Sequence, residues 1–122
     1  MNKLDKESVT AISALLVHAA NIDEIYSDHE KNLIKDFIKS YLNDDSDKIL
    51  KKAEEIESNS NQLLNFTNII KQKSMELKKD IIEHLWKVII SDKTIDQYES
   101  NLMRRICGLI YFPDKECAEI KL

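Results

Sequence analysis

Apolar residues recur at intervals of three and four along almost the whole chain, which predicts helices throughout. No segment keeps the strict alternation of apolar and polar residues that a half-buried strand shows over its length. Polar runs at residues 43–47 and 58–61 interrupt the periodicity, and Pro113 interrupts it again. The pattern predicts six helices, followed by a short seventh from about Asp114.

Cap-type residues stand at several of the predicted helix starts. Asp5 or Ser8 precedes the first apolar row, the second helix begins near Asp28, and Ser74 precedes the fifth. The third helix is predicted at about residues 47–58. The fifth helix is apolar on nearly every side, which is typical of a central, buried helix. Its apolar residues are Ile81, Ile82, Leu85, Trp86, Val88, Ile89 and Ile90.

The composition indicates a single domain over residues 1–122. Of the 122 residues, 43% are hydrophobic and 33% are charged, which suffices for one core with a well-solvated surface. One Gly and one Pro are too few for a fold rich in tight turns, so their scarcity favours helices joined by polar loops. We therefore expect an all-α fold, a compact multihelical bundle of about six to seven helices.

The charge balance and the length of the apolar runs argue against two classes of partner. The net charge is −4, with 18 basic and 22 acidic residues, so no basic excess neutralises a phosphate backbone and nucleic acid is not an expected partner. No apolar segment reaches the roughly 20 residues of a membrane span. Asp5 and Glu7 precede an interrupted apolar run, unlike a signal peptide. These features predict a cytoplasmic protein.

An eight-residue pattern occurs twice, and we call the copies the first acidic junction (residues 23–30) and the second acidic junction (residues 92–99). Both read Asp, two variable residues, an apolar or aromatic residue, a cap-type residue, two more, then Glu. The copies are 69 residues apart at both ends (92 − 23 and 99 − 30), and the same offset matches apolar residues of the flanking helices. We infer two pseudo-symmetric helix–loop–helix repeats, with Tyr26 or Ile95 as an inward apolar plug.

The repeated carboxylates have two interpretations, and the first is structural. Ser27-x-x-Glu30 and Asp96-x-x-Glu99 both fit a capping box, in which the first residue caps a helix and the Glu side chain reaches back to the cap's own N–H. Such caps contribute about 1 kcal/mol each. In this interpretation the carboxylates order the start of the second helix of each repeat.

The second interpretation is a divalent-metal site. If pseudo-symmetry brings the two junctions together, their carboxylates converge, and like charges that close repel unless a cation neutralises them. Hard oxygen ligands suit Ca²⁺, Mg²⁺ or Mn²⁺, whereas His18 and His29 near the first acidic junction make Zn²⁺ a less favoured alternative. Neither junction is an EF-hand, because both are shorter than that loop and lack its Gly. The predicted metal ligands are Asp23, Glu30, Asp92 and Glu99.

These junctions resemble the tellurite-resistance TerB-like family, whose members carry an alanine- and aliphatic-rich helix and then an Asp-Gly-x-aliphatic-x-x-x-Glu junction, twice. Here the two copies run through residues 19–30 and 85–99, with Glu24 and Lys93 at the positions of the family's Gly. The resemblance covers nearly the whole chain. Three further pieces look like this family: Phe66-Thr67, Leu85-Trp86 and Leu109-Ile110-Tyr111.

The resemblance implies a compact helical bundle with two structural repeats and an association with tellurite resistance and stress response. It also implies an acidic surface proposed to bind a divalent metal, with Asp23 and Glu30, and Asp92 and Glu99, as its acidic pairs. The chain has no nucleophile elbow, P-loop or HExxH pair, so we do not expect an enzyme. We expect a binding protein with a protein partner, which either carries a divalent metal or uses its carboxylates only as helix caps.

Overall fold

The structure is a computed structural model, and it describes residues 5–21, 27–43, 45–59, 64–89 and 97–120. Within these residues every regular element is a helix, so the predicted all-α class is confirmed. None of these helices is long and apolar enough to cross a bilayer. The elements are α1 (Lys6–Ala20), α2 (Asp28–Tyr41), α3 (Ser46–Ser58), α4 (Leu64–Lys71), α5 (Met75–Ile89), α6 (Gln97–Leu109) and α7 (Asp114–Ile120).

Side-chain caps fix the helix starts where the sequence places cap-type residues. Asp5 accepts a hydrogen bond from the Ser8 N–H at 2.7 Å, and its side-chain and backbone hydrogen bonds with Ser8 lower the pKa of the Asp5 carboxyl. Asp45 caps α3, and the Ser74 hydroxyl accepts a hydrogen bond from the Leu77 N–H at 3.3 Å at the start of α5. Each bond satisfies an N–H group that has no partner within its helix. The caps predicted at Asp5 and Ser74 are confirmed.

α1 lies at the centre of the bundle and packs against α2, α3, α4 and α5. Eleven of the 15 residues of α1 are buried, compared with eight of the 15 residues of α5. The apolar pattern of the sequence predicts α5 as the central helix, but the more deeply buried helix is α1. Charged residues explain the difference, because Glu76, Lys79 and Lys87 keep one face of α5 in water. In α1, small residues such as Ala14 and Ala19 let neighbouring helices approach closely on several sides.

One apolar core receives side chains from all seven helices. Full burial of a Leu, Ile or Phe side chain stabilises a fold by about 1.5–3 kcal/mol relative to exposure. A buried hydrogen bond also joins α5 to α7, because the Trp86 indole N–H donates to the Cys117 carbonyl at 3.0 Å. The largest fully buried side chains are Phe37, Ile12, Leu15, Leu16, Ile34, Ile38, Ile70, Ile81, Ile82, Leu85, Met103 and Ile106.

α6 ends in a Schellman motif, in which two N–H groups turn back onto the carbonyls of the last turn. The Phe112 N–H donates to the Cys107 carbonyl at 2.8 Å, and the Tyr111 N–H donates to the Gly108 carbonyl at 3.4 Å. Tyr111 takes the left-handed position of the motif with a φ of 61°, where Gly is usual because a Cβ is strained. Pro113 follows and α7 begins after it, as the sequence predicts.

Candidate functional site

The first acidic junction leads into α2 through a complete capping box. The Ser27 N–H and hydroxyl donate to Glu30 Oε1 at 2.8 and 3.1 Å, and the Glu30 N–H donates to the Ser27 Oγ at 3.1 Å. Glu30 is 5% exposed, so these bonds compensate for removing its carboxylate from water. The negative charge also lies in the first turn of α2, where the helix dipole favours it. The capping box predicted at Ser27 and Glu30 is confirmed.

The other three predicted metal ligands lie wholly or in part outside the described residues. Asp23 and Asp92 lie outside the described residues, and so does Asp96, the predicted cap of the second acidic junction. Glu99 falls within α6, but its side chain lies outside the described residues. The meeting of the four carboxylates therefore stays a prediction.

The helix bounds agree with the predicted repeat. The bounds of α1 and α5 differ by 69 at both ends (75 − 6 and 89 − 20), and the starts of α2 and α6 differ by the same number (97 − 28). Both acidic junctions extend into segments outside the described residues, so the internal repeat itself stays a prediction.

A polar contact holds the end of α1 against the last turn of α3, and along the chain it comes just before the first acidic junction. Glu57 Oε1 accepts a hydrogen bond from the Asn21 amide at 3.1 Å, and Glu57 Oε2 lies 3.4 Å from His18 Nδ1. Since His18 and Asn21 both engage this carboxylate, it fixes where the chain leaves α1. His29 is exposed in the first turn of α2, and a histidine ligand to zinc stays a prediction.

Where α2 packs on α5, the structure shows a polar cluster that the sequence does not indicate. The Tyr41 hydroxyl donates to Asp80 Oδ2, and the His84 Nδ1 lies 2.8 Å from the Asp80 carbonyl oxygen. The His84 ring meets the Phe37 ring edge-on, with centroids 5.0 Å apart. Tyr41, Asp80 and His84 line an open groove of about 480 Å³, with Glu76, Lys79 and Glu83 also on its α5 side.

The electrostatics of this cluster keep the tyrosine protonated. Partial burial, and then the hydrogen bond to Asp80, raise the pKa of Tyr41 above its ordinary value near 10. His84 has the geometry to donate its Nδ1–H to the Asp80 carbonyl, which in the neutral ring leaves Nε2 as an acceptor. The groove can therefore exchange hydrogen bonds with a polar ligand, while Tyr41 is not a base near neutral pH.

The sequence predicts only one part of this cluster. Asp80 and His84 are four apart on one predicted helix, which places them on the same face. Tyr41 stands 39 residues before Asp80 and belongs to an apolar row of α2, so its partner depends on how α2 and α5 pack. Among the residues that the structure describes, no group of three or more His, Cys, Asp or Glu side chains is arranged to hold a metal ion.

The fold and its surfaces define an all-α bundle with charged grooves between helices. The tellurite resistance protein TerB family matches the chain over residues 9–122. This match covers nearly the whole sequence, and the chain belongs to that family. No curated protein and no solved structure matches the chain at a significant level.

Proposed function

We propose that this chain is a non-catalytic binding module of the tellurite-resistance and stress response, which works in the cytoplasm through contacts with a protein partner. Membership of the TerB family supports the association with tellurite resistance. The observation that carries the rest is the first acidic junction, where Ser27 and Glu30 are engaged with each other at the start of α2. Carboxylates used in this way order the helices and leave the outer surfaces for binding.

The second candidate is a divalent-cation module in which Asp23, Glu30, Asp92 and Glu99 together hold Ca²⁺, Mg²⁺ or Mn²⁺. The duplicated spacing of these four carboxylates in the sequence favours it. Glu30 fits such a role only in part, because its Oε1 already accepts two hydrogen bonds and its other oxygen would have to contact the ion. A bound cation would supply positive charge that neutralises the repelling carboxylates and orders the two junctions.

Thermal unfolding of chelator-treated protein with each ion added separately distinguishes the two candidates. If the carboxylates only cap helices, no ion up to about millimolar concentration shifts the Tm, and Ser27→Ala costs about 1 kcal/mol. If a cation binds, an ion at about 100 times its Kd stabilises the fold by about 2.7 kcal/mol. Asp92→Asn with Glu99→Gln should abolish that shift.

A matched pair of carboxylates makes this test specific. Glu116 and Glu119 are exposed on α7, so Glu116→Gln with Glu119→Gln removes the same charge away from both junctions. An ion-induced shift that the α7 variant loses as well reports general charge screening and contradicts the cation candidate. Survival of a strain without this protein in potassium tellurite, after rescue with each variant, tests the proposed pathway. Unchanged survival without the protein would contradict the tellurite role.

A further inference from the structure

A groove runs between the first half of α1 and α3, and we call it the α1–α3 groove. Its polar arm has a volume of about 490 Å³ and is lined by Lys6, Thr10, Asp45, Lys48, Ile49 and Lys52. Its apolar arm, of about 530 Å³, adds Glu7, Ala11, Ile56 and Ile69. Since Lys6, Thr10 and Lys52 line both arms, the two cavities adjoin and form one continuous groove.

The apolar arm presents hydrocarbon to water from three helices. Ala11 of α1, Ile56 of α3 and Ile69 of α4 are each only partly buried, and together they leave one apolar hollow on the surface. When an apolar group covers neighbouring apolar side chains that are partly hydrated, the free energy of the system falls. This arm therefore suits a hydrocarbon chain.

The polar arm collects positive charge on a chain whose net charge is −4. Lys48 and Lys52 lie one turn apart on the exposed side of α3, and Lys6 lies across the groove on α1. In the described part of the chain, neither Lys48 nor Lys52 forms an ion pair. Asp45 caps α3 and keeps its negative charge, so the polar arm has three lysines against one carboxylate.

We propose that the α1–α3 groove binds one molecule of a single-chain amphiphile, a long-chain carboxylate, with its head at Lys48 and Lys52 and its tail along Ile56 and Ile69. The separation of charge and hydrocarbon into two adjoining arms matches the head and tail of such a molecule. Lys48 and Ile56 are eight residues apart on α3, which spans about 12 Å along the helix. The volume of the apolar arm lies in the range of small-ligand sites, which favours one molecule as the occupant.

This site is separate from the acidic junctions and does not depend on the proposed function. The groove uses Lys6–Ala11 at the start of α1, whereas the first acidic junction follows the end of α1. Ala11, the last α1 residue that lines the groove, lies nine residues before the end of α1 (20 − 11), which is about 14 Å along the helix. Loss of one activity therefore leaves the other measurable.

Calorimetric titration of the full chain with monomeric octanoate, decanoate and dodecanoate tests the proposal. We expect a 1:1 complex whose affinity rises about threefold to fourfold with each methylene until the tail fills the apolar arm. The double variant Lys48→Gln, Lys52→Gln removes the two lysines at the carboxylate head and should weaken dodecanoate binding about fivefold. Ile56→Ser should weaken binding and flatten the dependence on chain length.

The matched control is Lys51→Gln with Lys87→Gln, which removes two exposed lysines outside the groove and should leave the affinity unchanged. Both lysine variants should keep the helical circular dichroism of the wild type, since the replaced lysines are exposed. Equal binding of dodecyltrimethylammonium, or no complex with any carboxylate, would overturn the proposal. So would lysine-dependent binding to phosphatidylglycerol vesicles without binding of dodecanoate, which would assign the groove to a membrane surface.

Discussion

Tyr111 combines a strained backbone with an exposed aromatic ring. Its φ of 61° is disfavoured for any residue with a Cβ by about 1–2 kcal/mol. The ring forms a cation–π contact with Lys71, whose Nζ lies 4.8 Å from the ring centroid. Such a contact at an exposed site stabilises a fold by about 0.5–1 kcal/mol. The cation–π contact thus offsets part of the strain. Gly108 stands three residues earlier, inside α6, so the sequence does not reveal which residue takes the left-handed position.

We predict that Tyr111→Gly raises the free energy of unfolding by about 0.5–1 kcal/mol, since relief of the strain exceeds the loss of the Lys71 contact. Urea denaturation of both proteins measures this difference. Lys71→Gln is the companion variant, which should destabilise the wild type slightly and leave the Tyr111→Gly protein unchanged. A destabilised Tyr111→Gly protein would mean that the ring contributes more than its single cation–π contact.

At the scale of the helices, the sequence is most informative where caps and apolar rows coincide. Asp5, Ser27 and Ser74 sit at helix starts because their side chains satisfy N–H groups locally, and local chemistry is readable from sequence. Contacts between helices are different, since they depend on packing angles that no short segment determines. The Tyr41–Asp80 bond and the central position of α1 both arise in this way.

The Tyr41–Asp80 bond between α2 and α5 predicts a pH dependence at the alkaline end. Because the folded-state pKa of Tyr41 is raised above its ordinary value near 10, its contribution is fully present below about pH 10 and is lost as pH rises through the folded-state pKa. Above about pH 10 the wild type should therefore lose more stability than Tyr41→Phe. Denaturation at each pH measures the two slopes.

Tyr111→Phe is the matched control for that experiment, because it deletes a hydroxyl from a residue that is 66% exposed. Its pH dependence should follow the wild type. Asp80→Asn should reduce the alkaline loss as well, since it removes the charged acceptor from the Tyr41 hydroxyl. Identical slopes for the wild type and Tyr41→Phe would show that this bond is not maintained in solution.

At the scale of the whole molecule, one core couples all seven helices, and α1 is its centre. Leu16 in the middle of α1 is fully buried, so Leu16→Ala should cost about 2–5 kcal/mol and lower the Tm by at least about 8 °C. Circular dichroism and Trp86 fluorescence should report the same lowered transition, because Trp86 on α5 belongs to the same core.

Met75→Ala is the control for Leu16→Ala, since Met75 is 47% exposed and its truncation leaves no internal cavity. We expect its Tm to stay close to that of the wild type. Two separate transitions in the Leu16→Ala protein would contradict a single cooperative core and would divide the helices into independent units.

The position of α1 also has a consequence for biosynthesis. α1 is translated before all four of the helices that cover it, and the last of them, α5, ends 69 residues after α1 does (89 − 20). At about 5–20 residues per second, the ribosome needs roughly 3–14 s to make that stretch. During this interval part of the apolar surface of α1 is not yet covered by the later helices. We therefore expect chaperones that bind nascent chains to bind at α1.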